Sequence, residues 1–257
     1  MSQLNKSRLG ERSEKNHERL VARASQFASR FEQIKASTTV NFRWYPYDTF
    51  ANLRHLAPIM PGEFDALLND SLRIADIGAA DGALSFYLES LGHQCDIYDH
   101  APTNMNGLEG ARTLKRLLNS KVGIFDIDID SQFKLDRSYD VLIALGILYH
   151  LKNPYYLLET LANKCRYMLL STRIARYLRA GGPDVSSLPI AYLLSEMEAN
   201  NDPTNYWIFT EAGLRRLIDR AGWNIAGFRS VGETINSNPR DNHHDERAFA
   251  VLESKAI

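Results

Sequence analysis

The chain has 257 residues, of which 44% are hydrophobic and 24% charged, and its formal net charge is −1. This composition indicates a globular protein with one domain and additions, or two small domains. The near-zero charge excludes a global field that would attract nucleic acid or an anionic membrane. No apolar run approaches the roughly 18 residues of a membrane span, and the N-terminus lacks a signal-peptide core. Cys95 and Cys165 are typical of buried thiols in a reducing compartment. We therefore expect a cytoplasmic monomer or homodimer without a membrane partner.

The N-terminal residues 1–36 are polar and form a helical extension to a main domain that we expect over residues 37–257. Apolar residues recur every three or four positions from Leu20 onward, which predicts an amphipathic helix. They are Leu20, Ala24, Phe27, Phe31 and Ile34. Such a helix either docks onto the main domain or pairs with a second copy, and docking is the favoured alternative.

The stretch LRIADIGAADG, residues 72–82, predicts a buried parallel strand that turns tightly into a helix. A turn of small residues brings backbone N–H groups against a ligand. In dinucleotide folds the glycines follow G-x-G-x-x-G and the acidic residue comes about 20 positions later. Here Asp76 precedes Gly78 and Gly82 in the pattern D-x-G-x-x-x-G. This pattern resembles motif I of the class I S-adenosylmethionine-dependent methyltransferases; a tight turn in another doubly wound protein is the alternative.

The resemblance implies a cofactor site for S-adenosylmethionine around this turn. The Asp76 carboxylate would meet the ammonium of the cofactor, and Gly78, Ala79 and Gly82 would pass beneath its adenosine. No metal is expected. His243 and His244 are adjacent and point in different directions, and no matching set of ligands has the spacing of a metal site.

Two further strands supply the rest of the expected cofactor site. Asp99 ends the second strand, where an acid can accept hydrogen bonds from both ribose hydroxyls. The third strand, KVGIFDIDID, would hold the adenine with an acid and a neighbouring aliphatic residue. Asp126 with Ile127 is our choice, and Asp128 with Ile129 fits nearly as well.

The fourth strand lies in SYDVLIALGILYHLKNP and breaks at Gly146. Leu145 and Tyr149 would face the methionine end of the cofactor. Tyr149 and His150 follow at the carboxyl end of the strand, where open α/β sheets bind ligands, and they are the candidate catalytic residues. His150 is the candidate general base, because its ordinary pKa suits neutral pH. The alternative is a pair of polar residues that close a turn.

The segments GILYHLKNP and WYPYDTF resemble the branch of tRNA wobble-uridine modifying enzymes, which alkylate 5-hydroxyuridine. Small-molecule and sugar methyltransferases also resemble this branch. The resemblance implies that Tyr149 helps to hold the carboxylate of carboxy-S-adenosylmethionine and that tRNA is a possible partner. It also implies that the segment before motif I folds over the cofactor, so that Arg43, Tyr45 and Tyr47 become candidate substrate-binding residues.

A long connection, residues 172–209, follows the fifth strand and is expected to cover the site as a lid. Arg173, Arg176 and Arg179 recur at three and would line one face of a helix, either as a solvated face or as a site for an anionic acceptor. Polar and aromatic residues near the end of the connection suit a polar acceptor with a planar or sugar ring. The candidate substrate-binding residues of the connection are Arg173, Asn205, Tyr206 and Trp207.

The C-terminal strands WNIAGFRSVG and ERAFAVLES predict an antiparallel hairpin. The predicted fold is α/β, a Rossmann-like seven-stranded, mostly parallel sheet with this hairpin, the N-terminal helical extension and the lid. The predicted function is methyl transfer from S-adenosylmethionine to an O, N or C nucleophile of a polar small-molecule acceptor. The alternatives are a tRNA wobble-uridine carboxymethyl- or methyltransferase and a catalytically inactive protein with the same fold.

Overall fold

The computed structural model describes residues 3–131, 133–240 and 245–257, with side chains from residue 15 onward. The chain divides into two compact units, the first formed by Met1–Ile127 with Tyr139–Ile143 and the second by Asp128–Ser138 with Ala144–Ile257. No helix among the described residues is long and apolar enough to cross a membrane. His243 and His244 lie outside the described residues, and the described part contains no cluster of metal-ligating side chains.

The first unit holds a parallel sheet with the strand order β3-β2-β1-β4. Its strands are β1 (Arg73–Ile77), β2 (Gln94–Asp99), β3 (Gly123–Asp126) and the larger part of β4 (Tyr139–Leu145). Its helices are α1 (Gln3–Ser37), α2 (Ala51–Leu56), α3 (Ala66–Asn69), α4 (Ala83–Ser90) and α5 (Glu109–Leu117). Asp76 pairs with Ile97 on one side and with Ile143 on the other. Strand β1 is paired on both edges, and its apolar side chains are buried, as the sequence predicts.

Helix α1 docks within the first unit through the apolar stripe that the sequence shows. Phe27 lies 5.7 Å from Tyr87 and Phe31 lies 6.4 Å from Phe86 between ring centroids, so the stripe packs on α4. The Tyr87 hydroxyl also donates a 2.7 Å hydrogen bond to the Leu20 carbonyl. The predicted amphipathic helix is confirmed and extends toward the N-terminus well beyond Leu20.

The second unit contains the remaining strands around β5. They are β5 (Cys165–Ile174), β6 (Ala191–Leu193), β7 (Trp207–Phe209), β8 (Trp223–Gly232) and β9 (Glu246–Ser254), with helices α6 (Pro154–Ala162) and α7 (Glu211–Arg220). Strand β9 pairs antiparallel with both β5 and β8, which confirms the predicted C-terminal hairpin. The parallel strands of the first unit and this antiparallel pair confirm the Rossmann-like α/β class. Both cysteines are buried thiols that form no disulfide, as predicted.

The region after the fifth strand differs from the prediction in two ways. The arginine row is not helical: Arg173 belongs to β5, and residues 175–182 form bends and turns. The periodicity of three was misleading because β5 extends to Ile174 and is held there by its pairing with β9. The long connection also contributes two short strands that the sequence analysis missed, β6 and β7, which pair antiparallel with each other, while β7 pairs with β5.

Candidate active site

The turn between β1 and α4 is a left-handed turn built from small residues. Gly78, Ala80 and Gly82 have φ angles of +69°, +55° and +79°. The Gly78 N–H donates to the Tyr98 carbonyl at 2.8 Å, and the Gly82 N–H donates to the Ala79 carbonyl at 2.8 Å. Ala80 stands in a region that costs a residue with a Cβ about 1–2 kcal/mol. A side chain larger than alanine at the turn would cover the backbone that a ligand has to reach.

Two carboxylates of the first unit are buried beside this turn, and burial raises the pKa of both. Burial, and secondarily the charge of Asp99, raises the pKa of Asp76 to about 7, against a hydrogen bond from the Ser85 hydroxyl at 2.8 Å. Burial raises the pKa of Asp99 to about 6, although the His100 N–H and the Asn104 amide donate to it at 2.8 and 2.9 Å. The bond from the Gly78 N–H to the Tyr98 carbonyl ties the second strand to the turn.

These two carboxylates fit the polar groups of S-adenosylmethionine. In the described part of the chain neither Asp76 nor Asp99 forms an ion pair, so their charges are poorly compensated in the protein alone. A buried carboxylate with a raised pKa gains stability from a cation, such as the ammonium of the cofactor. Asp99 at the end of β2 retains acceptor capacity for ribose hydroxyls, because a carboxylate has about four acceptor sites.

The alternative adenine-site pairs lie in different units and have different partners. Asp126 ends β3 and is exposed, and its Oδ1 accepts a 2.9 Å hydrogen bond from the Ala101 N–H. The Ile127 N–H donates to the Asp99 carbonyl at 2.9 Å. Asp128 instead accepts from the Asp130 N–H at 2.9 Å, within its own loop, and Ile129 is buried. The bonds of the first pair to Asp99 and to the loop after it favour Asp126 and Ile127, which stay our prediction.

Asp81, which the sequence analysis passed over, is the centre of a buried junction at the same turn. Its side chain is 3% exposed, and the Lys35 ammonium, 7% exposed, lies 3.2 Å from its Oδ2. The Tyr45 N–H donates to Oδ2 at 2.8 Å, and the Asn106 amide donates to Oδ1 at 2.8 Å. Lys35 also donates to the Tyr45 carbonyl at 2.9 Å and lies over the Trp44 ring. The junction therefore fastens the end of α1 and the aromatic segment to motif I.

The candidate residues of the aromatic segment differ in exposure. Tyr45 is half-buried, its hydroxyl accepts a hydrogen bond from the Met105 N–H at 2.9 Å, and burial raises its pKa to about 12. Arg43 has an exposed side chain, and its carbonyl accepts a bond from the Asn106 amide. The Tyr47 side chain is 71% exposed. Of the three side chains, Tyr45 alone is tied to the loops around motif I.

In the second unit, the end of β4 brings the Tyr149 hydroxyl beside an arginine from the C-terminal hairpin. Leu145 is half-buried at the strand end, and the N–H of Gly146, φ +76°, donates to the Ser171 carbonyl of β5 at 2.9 Å. The Arg247 guanidinium lies 5.7 Å from the centroid of the Tyr149 ring. A phenol and a cation thus stand together at the carboxyl end of this strand.

His150 follows directly and is half-buried, with its ring 4.4 Å from that of Tyr149 between centroids. Its Nδ1 lies 2.9 Å from the Thr204 hydroxyl and 3.2 Å from the Thr204 carbonyl. Burial lowers the pKa of His150, and Arg247 lowers it further, while Asp202 acts in the opposite direction. The imidazole is therefore neutral at pH 7, which is the form that accepts a proton.

The remaining candidate substrate residues divide into buried and accessible side chains. Arg173 is buried, with its guanidinium 2.5 Å from Asp245 and bonded to the Asn238 carbonyl. Asn205 is buried and donates to the Ala199 carbonyl at 2.8 Å. Tyr206 and Trp207 are half-buried; Lys152 lies over the Tyr206 ring, and the Trp207 indole donates to the Lys152 carbonyl. The two aromatic residues are better placed than Arg173 or Asn205 to meet an acceptor.

Residues 42–226 match a family model described as a methyltransferase domain, and this match covers more than half of the chain. The chain belongs to this family. It is a class I S-adenosylmethionine-dependent methyltransferase. No curated protein matches it.

Several solved structures share the fold of this methyltransferase at low sequence identity. The N-terminal domain of EvdMO1, solved in the presence of SAH and D-fucose, is 16% identical with a TM-score of 0.55, over 92% of this chain and 96% of that one. An S-adenosylmethionine-dependent methyltransferase from Mesorhizobium loti is 14% identical with a TM-score of 0.59, over 79% and 97%. One from Methanosarcina mazei is 18% identical with a TM-score of 0.53, over 76% and 98%.

The sequence carried weak signals for the residues that the analysis of this methyltransferase missed. Lys35 falls four positions after Phe31, on the apolar stripe of α1, where a cation needs a buried partner. Asp81 lies inside motif I but was counted only as a spacer. Thr204 and Arg247 had no signal, because their partners are distant in sequence and are joined only by the fold.

Proposed function

We propose that this methyltransferase methylates an O or N nucleophile of a polar small-molecule acceptor, with His150 as the general base. The observation that carries the proposal is the neutral, half-buried imidazole of His150 at the carboxyl end of β4, with Nδ1 engaged by Thr204. S-adenosylmethionine supplies an electrophilic methyl group on a sulfonium that leaves readily. The protein therefore has to align the nucleophile and remove its proton.

We assign cofactor binding mainly to residues of the first unit. Asp76 would hold the ammonium, Asp99 the ribose hydroxyls, and Asp126 with Ile127 the adenine. The backbone of Gly78, Ala79 and Gly82 would pass beneath the adenosine. For Leu145 and Tyr149, which belong to the second unit, contact with the methionine end stays a prediction. The raised pKa values of Asp76 and Asp99 support this assignment, since both groups gain from a bound cation or hydroxyl donor.

On the acceptor side, Nε2 of His150 would take the proton. It receives the proton of the nucleophile as the new bond to the methyl carbon forms and the carbon–sulfur bond breaks. The bonding electrons stay with sulfur, and the proton passes from Nε2 to solvent after the reaction. Tyr206 and Trp207 of the second unit would contact a ring of the acceptor.

The test is release of S-adenosylhomocysteine from S-adenosylmethionine in the presence of candidate acceptors. The panel contains sugars, phenols, amines and short-chain carboxylic acids; sugars are included because the EvdMO1 domain of the same fold was solved with D-fucose. With an active acceptor, His150→Gln should lower kcat by about 10²–10⁴-fold, the usual contribution of general-base catalysis. Full turnover by the His150→Gln variant would show that His150 is not the general base.

A second candidate function is carboxymethyl transfer to the wobble uridine of tRNA, and one contact favours it. The Arg247 guanidinium lies 5.7 Å from the ring centroid of Tyr149, the residue that the resemblance links to the carboxylate of carboxy-S-adenosylmethionine. An arginine beside a phenol suits a carboxylate. Calorimetric titration with both cofactors separates the candidates: preference for the carboxylated form, lost in Arg247→Met but not in Arg166→Met, would favour carboxymethyl transfer. The tRNA reading further requires tRNA binding with a steep salt dependence.

A further inference from the structure

Residues 199–206, here the 199–206 segment, contain the most unusual backbone of the second unit. Ala199, Asn200 and Asn201 have φ angles of +50°, +70° and +53° in succession, although none is glycine. The left-handed region costs a residue such as Ala199 about 1–2 kcal/mol, and it costs asparagine less because its short polar side chain can form local hydrogen bonds. Strain of this kind persists where the surrounding structure holds it in place, and it is found preferentially at functional sites.

Hydrogen bonds hold the 199–206 segment in this shape and attach it beside His150. The Asn205 amide donates to the Ala199 carbonyl at 2.8 Å, and the Asn205 N–H donates to the Asp202 carbonyl at 3.1 Å. The Tyr206 N–H donates to the Tyr149 carbonyl at 2.8 Å. The segment is thus closed on itself and bonded to the residue that precedes His150.

Within this segment, Asp202 decides what the Thr204 hydroxyl can do. Asp202 Oδ1 accepts from the Thr204 N–H at 2.9 Å and from the Thr204 hydroxyl at 2.6 Å. A hydroxyl has a single hydrogen, and Asp202 takes it. Toward any other group the Thr204 hydroxyl is therefore an acceptor.

This restriction determines the proton of His150. Nδ1 faces the Thr204 hydroxyl at 2.9 Å and the Thr204 carbonyl at 3.2 Å, and both oxygens accept there. Two acceptors require an N–H between them, so the hydrogen of the neutral ring is on Nδ1. Nε2 then carries the lone pair.

We propose that Asp202 and Thr204 are positioning residues that hold neutral His150 in the Nδ1–H tautomer and leave Nε2 as the proton acceptor. The catalytic value of this arrangement rests on the proposed function, whereas the tautomer itself does not. Among the residues that the structure describes, the charged and titratable groups that act on the ring besides Asp202 and Thr204 are Arg247 and Tyr149. Neither supplies an acceptor to Nδ1, so the tautomer depends on the 199–206 segment.

The experiment is two-bond ¹H–¹⁵N correlation spectroscopy of the full-length protein labelled with ¹⁵N-histidine, at pH 8. The His150 signals are identified by their loss in His150→Gln. In the wild-type protein we expect Nδ1 with the shift of a protonated nitrogen and Nε2 with the shift of a bare one. The opposite assignment in the wild-type protein would overturn the proposal.

Matched variants test the two positioning residues. Thr204→Val, of nearly the same shape, should change the tautomer ratio at least about fivefold toward Nε2–H, which corresponds to the loss of about one hydrogen bond. Thr204→Ser should retain the wild-type ratio. Asp202→Ala should shift it in the same direction as Thr204→Val, because the freed hydroxyl can then donate to Nδ1, and Asp202→Asn, which keeps an accepting oxygen, should not. A folded Thr204→Val protein with the wild-type ratio contradicts the proposal.

The pattern of results separates this inference from the proposed function. If Thr204→Val changes the tautomer and lowers kcat with little change in KM, both are supported. If it changes the tautomer while His150→Gln turns over normally, the positioning role stands and the general base is wrong.

Discussion

The motif I turn of the first unit and the His150 region of the second unit are assembled in different ways. The turn is one contiguous strand–turn–helix, and its Asp76 is bonded to Ser85, nine residues away. His150 instead depends on Thr204, 54 residues further along the chain. A site made by one stretch of chain is visible as a motif, whereas a site made by distant segments exists only after the chain has folded.

The largest effect that we expect concerns the cofactor side. Asp76→Ala should lower the affinity for S-adenosylmethionine by more than about 100-fold, since a charged hydrogen-bond partner contributes about 1.5–3 kcal/mol and a new cavity adds to its loss. Isothermal titration calorimetry with S-adenosylmethionine and S-adenosylhomocysteine measures it. The Asp140→Ala variant, with an exposed strand-end carboxylate of the same unit, is the control and should bind normally. Unchanged affinity in Asp76→Ala would contradict our assignment of the turn.

The stability of the first unit should depend strongly on the cation of the buried junction. Lys35→Met leaves the 3%-exposed Asp81 carboxylate without its cation, and breaking a buried pair in this way costs about 3–5 kcal/mol. Urea unfolding measures the free energy of unfolding. Lys35→Arg, which keeps the charge, should lower the free energy of unfolding less than Lys35→Met does.

A double-mutant cycle with Asp81→Asn shows whether the two residues act as a pair. The loss of unfolding free energy in the Lys35→Met/Asp81→Asn protein should be clearly smaller than the sum of the losses in the two single variants, because neither charge is then left uncompensated. Additive losses would mean that Lys35 acts through its packing on Trp44 and Phe31 rather than through Asp81.

The raised pKa of Asp76 predicts that its ionised carboxylate lowers the stability of the cofactor-free protein and strengthens the binding of the cofactor. Burial raises this pKa from its ordinary value of 3.8 to about 7, so ionised Asp76 destabilises the cofactor-free fold above about pH 7. Asp76→Asn should therefore stabilise the cofactor-free protein at pH 8, by up to about 4 kcal/mol. The gain should shrink between pH 7 and pH 4, as Asp76 becomes protonated in the folded wild-type protein.

Thermal unfolding of both proteins across this pH range measures the effect. Wild-type affinity for S-adenosylmethionine should fall as the pH is lowered through about 7, because protonated Asp76 no longer attracts an ammonium. A stability difference that does not change with pH would show that Asp76 is ionised throughout the range.

Features that one stretch of chain defines could be predicted from the sequence, whereas features that distant segments form could not. Strand β1, the glycine turn and Asp99 were predictable, since short-range periodicity and spacing define them. The helix predicted for the arginine row was wrong because Arg173 pairs with Arg247 of β9, 74 residues away, and no local pattern indicates that pairing. Thr204 could not be predicted for the same reason: a threonine becomes a partner of His150 only through the strained turn that precedes it.

The smallest effect that we expect is that of a substitution at Gly110. Helix propensity and long-range packing favour opposite outcomes at this position. It lies in the first turn of α5, where helix propensity alone predicts that Gly110→Ala stabilises the protein by about 1 kcal/mol. A Cβ at this position would overlap Asp81 Oδ1 and approach the Asn106 amide to 2.7 Å. Both groups belong to the buried junction and cannot move without breaking its hydrogen bonds. We therefore expect a loss of about 1–3 kcal/mol in urea unfolding, the usual cost of overpacking.

Gly107→Ala is the matched control for Gly110→Ala. Its added Cβ meets nothing within 4 Å, so this variant reports only the cost of its φ of +63°. In Lys35→Met/Asp81→Asn, where the junction is already broken, Gly110→Ala should cost less than in the wild-type protein. Stabilisation by Gly110→Ala in the wild-type background would mean that the turn around Asp81 yields easily. The packing around Asp81 in the first unit would then be no more rigid than that of the 199–206 segment.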